Sequence, residues 1–264
     1  MKIIFASILT LFCCILNAQE EIGEVVEQKV SNPVKIGIKS GISLPKLTAD
    51  TENIYTKDFE SFVAYEIGVS GQYEFSDLFS LQVEFNYTVK GGERNGKQPI
   101  PPDRLPSDLG DMLPPNTIIY ANFNNKSILE YIEIPVLAKF TFGKNWKYYG
   151  ILGPYAGFLV GATQKTSGNA SSISVDIPGI FEQVEFPLDE IISFDAETNV
   201  KSDIKNFNIG GIGGVGLIKR ISKKSEIFIE ARGTYGFITI QENETYGKSN
   251  IGSFVFSLGY AYTL

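Results

Sequence analysis

The feature that most constrains this chain is a period-2 alternation of apolar and polar residues that returns eight times. In residues 63–75, Val63, Tyr65, Ile67, Val69, Tyr73 and Phe75 alternate with Ala64, Glu66, Gly68, Ser70, Gln72 and Glu74. In residues 81–90, Leu81, Val83, Phe85, Tyr87 and Val89 alternate with Gln82, Glu84, Asn86, Thr88 and Lys90. Residues 128–142 set Ile132, Ile134, Val136, Ala138, Phe140 and Phe142 against Tyr131, Glu133, Lys139 and Thr141. The same pattern marks residues 34–44, 206–218, 226–238 and 253–264, and an aromatic, Gly-rich stretch at 147–162 whose facing is ambiguous. Successive side chains of a strand point to opposite faces, so this pattern predicts strands with one apolar and one polar face.

The connections sort by length. Those at 76–78, 143–146 and 219–224 are short, whereas those at about 45–61, 93–127, 163–205 and 239–250 are long. Short turns at one end and long loops at the other are the layout of an outer-membrane barrel, and a Greek-key sandwich has no reason to sort its loops this way. Strands of 11–15 residues also exceed the globular mode of about 5–6 and suit tilted, membrane-crossing strands. The expected fold is therefore all-β: a closed, eight-stranded, antiparallel up-and-down transmembrane barrel with long extracellular loops and periplasmic turns. The apolar stretch from Ile177 to Ile192, inside the third long loop, has room for one more hairpin. Residues 99–115 hold six of the twelve prolines and predict a stiff, irregular segment.

Residues 1–18 read as a removable Sec-type signal peptide, with Lys2 as its positive start, an apolar run from Ile3 to Leu16, and the small residue Ala18 at the exit. A retained anchor, or acylation at Cys13 or Cys14, are the alternatives. Residues 19–33 then form a short periplasmic segment and residues 34–264 the barrel domain. The chain has no histidine, and its two cysteines lie in the leader. Histidine-dependent nucleophilic sites, His/Cys zinc sites and disulfide frameworks are thus excluded from the mature protein. The net charge of −7 becomes −8 without Lys2, leaving 22 basic against 30 acidic residues. Nucleic acid is a poor partner for such a chain. No cofactor, metal or catalytic residue is expected, and the chain does not read as an enzyme.

If the apolar faces meet lipid, Glu66, Glu74, Glu84, Lys90, Glu133, Lys139, Glu230 and Arg232 point into the lumen. An eight-stranded barrel is just wide enough for side chains to fill it, and buried charges there must pair. Glu133 with Lys139 or Arg232, and Glu230 with a neighbouring cation, are the expected pairs. If instead these charges face lipid, every register is wrong by one residue. Gly211, Gly213, Gly214 and Gly216 fit GxGxxG, but a strand follows where a dinucleotide site needs a helix. Glycine on a curved wall is the better reading. The aromatics read as interfacial girdles, with sugar stacking an alternative at Tyr55, Tyr120 or Phe123. The loop acids Asp103, Asp108, Asp111, Asp176, Asp189 and Asp195 lack calcium-loop spacing and read as solvated charge.

Lys35-Ile36-Gly37-Ile38-Lys39-Ser40-Gly41, Tyr131-Ile132-Glu133-Ile134-Pro135-Val136-Leu137, Gly153-Pro154-Tyr155-Ala156-Gly157 and Ser257-Leu258-Gly259-Tyr260-Ala261-Tyr262 together resemble the outer-membrane β-barrel domain proteins of Bacteroidetes, the porin-family or PorT-like proteins. The resemblance spans about residues 34–264. It implies an eight-stranded outer-membrane barrel without an assigned activity, and a barrel-insertion signal at Phe256, Leu258, Tyr260, Tyr262 and Leu264. The expected function is a structural or interaction scaffold acting through extracellular loops. Its expected partners are membrane lipid and lipopolysaccharide, the insertion machinery, and an extracellular or periplasmic protein. A small porin, a component of a type IX-like secretion complex, and a soluble lipocalin-like binder are the alternatives.

Overall fold

The computed structural model describes residues 34–49, 53–100, 117–178, 183–245 and 247–264, without the side chains of 188–192. The expected leader, the 19–33 segment and most of the proline-rich stretch lie outside these. In chain order the strands are β1 (Val34–Ala49), β2 (Ala64–Glu74), β3 (Phe79–Ile100), β4 (Ile118–Phe142), β5 (Trp146–Ser167), β6 (Asn169–Asp176), β7 (Val184–Ser193), β8 (Ala196–Asn199), β9 (Phe207–Arg220), β10 (Ser225–Gly236) and β11 (Ser249–Thr263).

Eight of them form an antiparallel ring in the order β1-β2-β3-β4-β5-β9-β10-β11. Every neighbouring pair is a ladder, including β4–β5 and the first-to-last pairing of β1 with β11 from Lys35↔Thr263 to Ala49↔Ser249. A ring leaves no sheet edge along its wall, so its backbone groups are satisfied within it.

The alternation reads inside out. Ile38, Leu152 and Val215 are 61, 68 and 65% exposed, whereas the intervening Lys39 and Arg232 are 4 and 1% exposed. A contiguous apolar belt of this size is not sustained in water, and its natural solvent is lipid. The facing of residues 147–162, ambiguous in sequence, is resolved: Tyr149, Ile151 and Tyr155 point inward, and Tyr148, Leu152 and Phe158 outward. Aromatic contacts ring both ends of the belt. Phe75 lies against Phe79, and Phe79 against Phe140, at the short-turn end, whereas Tyr65–Tyr87 and Tyr235–Phe237 lie toward the other.

Two of the long connections are more ordered than expected. The β3–β4 ladder continues past the belt to Ile100↔Ile119, and β5 runs on to Ser167. Alternation in the sequence lapses there, yet the backbone continues to pair, and Gln98, Ile119 and Ala121 are buried. Within 163–205 a hairpin does form, but it joins β6 to β7 and therefore begins earlier than the apolar stretch from Ile177. β6 pairs β4, and β8 pairs β5, which extends the ring into a sheet at the long-loop end.

Apolar side chains fill the two ends of the interior. Near the turns, Leu137, Tyr149, Ile151, Tyr155, Ile212, Ile218 and Phe228 pack together. Toward the loops, Leu47, Leu129, Tyr131, Leu159, Ala162, Val200, Ile240 and Ile251 form a second cluster.

Candidate functional site

The charged residues that the alternation turns inward meet at Arg232. Its position on β10 places it opposite Gly214 of β9 and Val255 of β11. A Cβ on Gly214 would lie 2.6 Å from the Arg232 Cβ, so a glycine there leaves the arginine its room. From this wall the guanidinium crosses the lumen. Nη1 donates to Glu84 Oε2 at 2.8 Å, Nη2 donates to Glu66, and Nε lies 3.6 Å from Glu230 Oε1.

Glu84 is the most heavily bonded carboxylate of the group. It also accepts from Lys39 Nζ at 2.5 Å, Gln82 Nε2 at 2.6 Å and Asn86 Nδ2 at 2.8 Å. Lys39 lies 3.6 Å from Glu66, and Tyr149 donates its hydroxyl to Glu230 at 2.9 Å. Three carboxylates thus share two cations. Taking an unpaired carboxylate out of water costs several kcal/mol, about the whole margin of a small domain's stability, so this mutual satisfaction is a condition of folding.

Above and below this hub sit smaller groups. Lys90 Nζ lies 2.5 Å from Glu133, donates to Thr234 at 3.3 Å, and stands 4.7 Å from the Tyr155 ring centre. Lys139 donates to Gln72 at 3.0 Å and Gln82 at 3.1 Å and lies over the Tyr149 ring. At the turn end Lys35 bridges Glu74 at 2.9 Å and Glu226 at 2.8 Å.

Glu66, Glu84, Glu230 and Arg232 are therefore brought together, while Glu133 and Lys139 are not. The expected pairing of Glu133 with Lys139 or Arg232 gives way to Glu133 with Lys90. Glu133 and Lys139 lie on one strand six residues apart, about 20 Å at the rise of a strand, which no side chain spans. Lys39, Lys35 and Glu226 are equal members outside the expected set, although each has the inward parity. Tyr149 was hidden by the ambiguity of its strand.

The GxGxxG glycines all lie within β9, and β10 follows, so there is no helix end for a phosphate. They keep ordinary strand backbone, and Gly214 and Gly216 serve by leaving space for facing side chains. A Cβ on Gly216 would stand 2.2 Å from the Tyr149 ring, and one on the adjacent Gly210 would stand 2.5 Å from the Tyr155 ring. Asp103, Asp108 and Asp111 lie outside the described residues, as does the side chain of Asp189. Asp195 accepts from the Gly168 amide and the Ser193 hydroxyl. Among the described residues no three metal-ligating side chains gather. Phe256, Leu258, Tyr260, Tyr262 and Leu264 all stand on the outer face of the last ladder or just beyond it.

Several solved structures resemble the chain. Neisserial surface protein A is 12% identical, with 87% of this chain and 97% of that one covered and a TM-score of 0.38. Ail, the attachment invasion locus protein of Yersinia pestis, is 14% identical over 86 and 97% at a TM-score of 0.38. A major outer membrane protein of Thermus thermophilus is 9% identical over 88 and 99% at 0.42. No curated protein matches the sequence. Residues 17–242 match the family described as outer membrane protein beta-barrel domain, and with its lipid-facing exterior and charged interior this chain belongs to that family.

Proposed function

We propose that this protein is a non-conducting outer-membrane scaffold that works through its long-loop end, with the ring as a rigid stand. The observation that carries the reading is the filled bore. Arg232, Glu66, Glu133, Glu230, Lys90, Tyr131, Tyr155 and Leu137 are at most 2% exposed, which supports a bore packed with side chains. The lumen charges Glu66, Glu84, Glu133, Lys139, Glu230 and Arg232 then serve structure, cross-linking opposite walls. Their carboxylates are engaged by Arg232, Lys39, Lys90 and Tyr149, which favours a structural role. The order of the β3–β4 and β6–β7 extensions favours interaction at the outer end, where lipopolysaccharide and protein partners are met.

In the same reading residues 1–18 direct export and are removed. Phe256, Leu258, Tyr260, Tyr262 and Leu264 present the insertion signal on the lipid face. The finer family position, among Bacteroidetes PorT-like proteins, rests on the sequence motifs.

Conductance in planar bilayers tests the proposal. Purified protein should insert without stepwise current. Reproducible single-channel steps would overturn the plugged scaffold in favour of a small porin.

A further inference from the structure

At the long-loop end, above the second apolar cluster, lies a cavity of about 700 Å³. That volume falls within the roughly 300–1,000 Å³ of small-molecule sites. Its base is apolar, built from Leu47, Phe59, Leu129, Val200, Ile204 and Ile240. Its walls differ in kind. Phe123 and Phe194 stack with centroids 4.8 Å apart at 14° and both line the space.

Amide side chains surround them, each held by one end. Gln98 donates through Nε2 to the carbonyls of Phe123 at 2.7 Å and Arg94 at 3.3 Å, which leaves its Oε1 to the cavity. Gln164 donates to Asn125 Oδ1 at 3.0 Å, which leaves the Asn125 amino group and the Gln164 oxygen. Thr56 lines the same space, and its hydroxyl is buried with no hydrogen-bond partner among the described residues. A buried hydroxyl without a partner is costly unless something else supplies one.

The charge of the lining narrows the ligand. Asp195, Asp203 and Glu242 line it, and no lysine or arginine does so among the described residues. Phosphorylated, sulfated or carboxylated ligands have nothing there to neutralise them. A purely apolar ligand would leave the amides and hydroxyl unpaired. A neutral sugar has both required surfaces: hydroxyls that donate and accept in the ring plane, and C–H faces that lie on the negative face of an aromatic ring.

From this combination we infer that the cavity is a binding site for a short neutral oligosaccharide. Phe123 and Phe194 form its stacking wall, and Thr56, Gln98, Asn125 and Gln164 its hydrogen-bonding groups. The inference names the partner class of the scaffold proposed above, and it rests on that reading for the side of the membrane on which the sugar is met.

The test uses the full chain in lipid nanodiscs, because a maltoside detergent would itself present a neutral sugar. Saturation-transfer NMR is run with neutral gluco-, manno- and galacto-oligosaccharides of two to four units, and with sulfated and sialylated counterparts. At least one neutral series should receive saturation and its acidic counterpart should not. Phe194→Ala should weaken that binding about tenfold. Thr56→Val preserves shape and removes an unpaired hydroxyl, so it should weaken binding while leaving heat resistance of the folded band equal or higher. Silence from every neutral sugar, preference for the acidic ones, or binding untouched by both variants would overturn the assignment. Bilayer conductance is read on the same preparations. Steps with intact sugar binding overturn only the plugged reading, and silence from sugars without steps overturns only this one.

Discussion

Arg232 and Glu84 join strands that are not neighbours. Arg232 Nη1 donates to Glu84 Oε2 at 2.8 Å, yet β10 pairs only with β9 and β11, and β3 only with β2 and β4. The bond is thus a strut across the bore, and with Glu66 of β2 and Lys39 of β1 it ties four strands into one electrostatic unit.

Removing the strut leaves carboxylates buried without a partner. Arg232→Met should destabilise the folded protein by about 3–5 kcal/mol, measured by urea unfolding in vesicles. Arg232→Lys keeps the charge but loses the fork that reaches Glu84 and Glu66 together, so it should fall between. A wild-type midpoint in Arg232→Met would show that the cluster contributes nothing to stability.

The Lys90–Glu133 pair permits a cleaner separation. Lys90→Met alone should cost several kcal/mol by stranding Glu133. Adding Glu133→Gln should recover most of that loss, because a neutral amide is far cheaper to bury than an unpaired carboxylate. Strictly additive losses in the double variant would mean the two side chains do not depend on one another.

Gly216 should tolerate no side chain while Tyr149 keeps its place. Gly216→Ala sets a methyl 2.2 Å from that ring and should cost about 1–3 kcal/mol as overpacking. Combined with Tyr149→Leu, the losses should be less than additive, read from the same unfolding curves. Full additivity would indicate that the clash is relieved elsewhere.

The lipid belt predicts a depth-dependent penalty. Leu152, 68% exposed within the apolar belt, should cost about 2–4 kcal/mol when changed to arginine. The same change at Phe186, on the β7 extension, should cost far less. Folding yields into vesicles, compared by heat-modifiable migration, check the contrast, and equal penalties would argue against lipid on this face.

Outside the belt, Lys248 lies 2.5 Å from Glu244 and holds its carboxyl below the ordinary carboxylate value. A lowered folded value means that the contribution is present above the unfolded value and is lost as pH falls through the folded one. Carboxyl-carbon NMR should show Glu244 titrating below a free glutamate, and Lys248→Ala should return it toward the ordinary range. An unchanged midpoint in that variant would exclude Lys248 as the cause.

The ring was legible because its cause is local. A strand between lipid and a polar lumen must alternate, so residues 63–75 or 253–264 announce both their conformation and their facing. The inward set Glu66, Glu84, Glu230 and Arg232 follows from the same parity. Lys35 and Lys39 alternate with Ile36 and Ile38 and were open to the same rule.

Pairing was not legible, because parity says which way a side chain points and nothing about its height or its neighbours across the bore. Glu133 meets Lys90, rather than Lys139, although in the β3–β4 ladder Glu133 stands opposite Asn86 and Lys90 opposite Leu129. The β3–β4 extension and the β6–β7 hairpin carry no clean alternation, and Gln98, Ile119, Ala121, Ala170 and Val175 are buried there by contacts that only the fold supplies. The cavity between Phe123, Phe194 and Thr56 draws on segments far apart in the chain.

By itself, then, the sequence determined that this chain makes lipid-facing strands with charges inside, since solvent on each face selects residues one by one. Only the tertiary structure decided which charges meet and what the outer end encloses, since both depend on strand register and ring closure rather than on any residue's own neighbours in the chain.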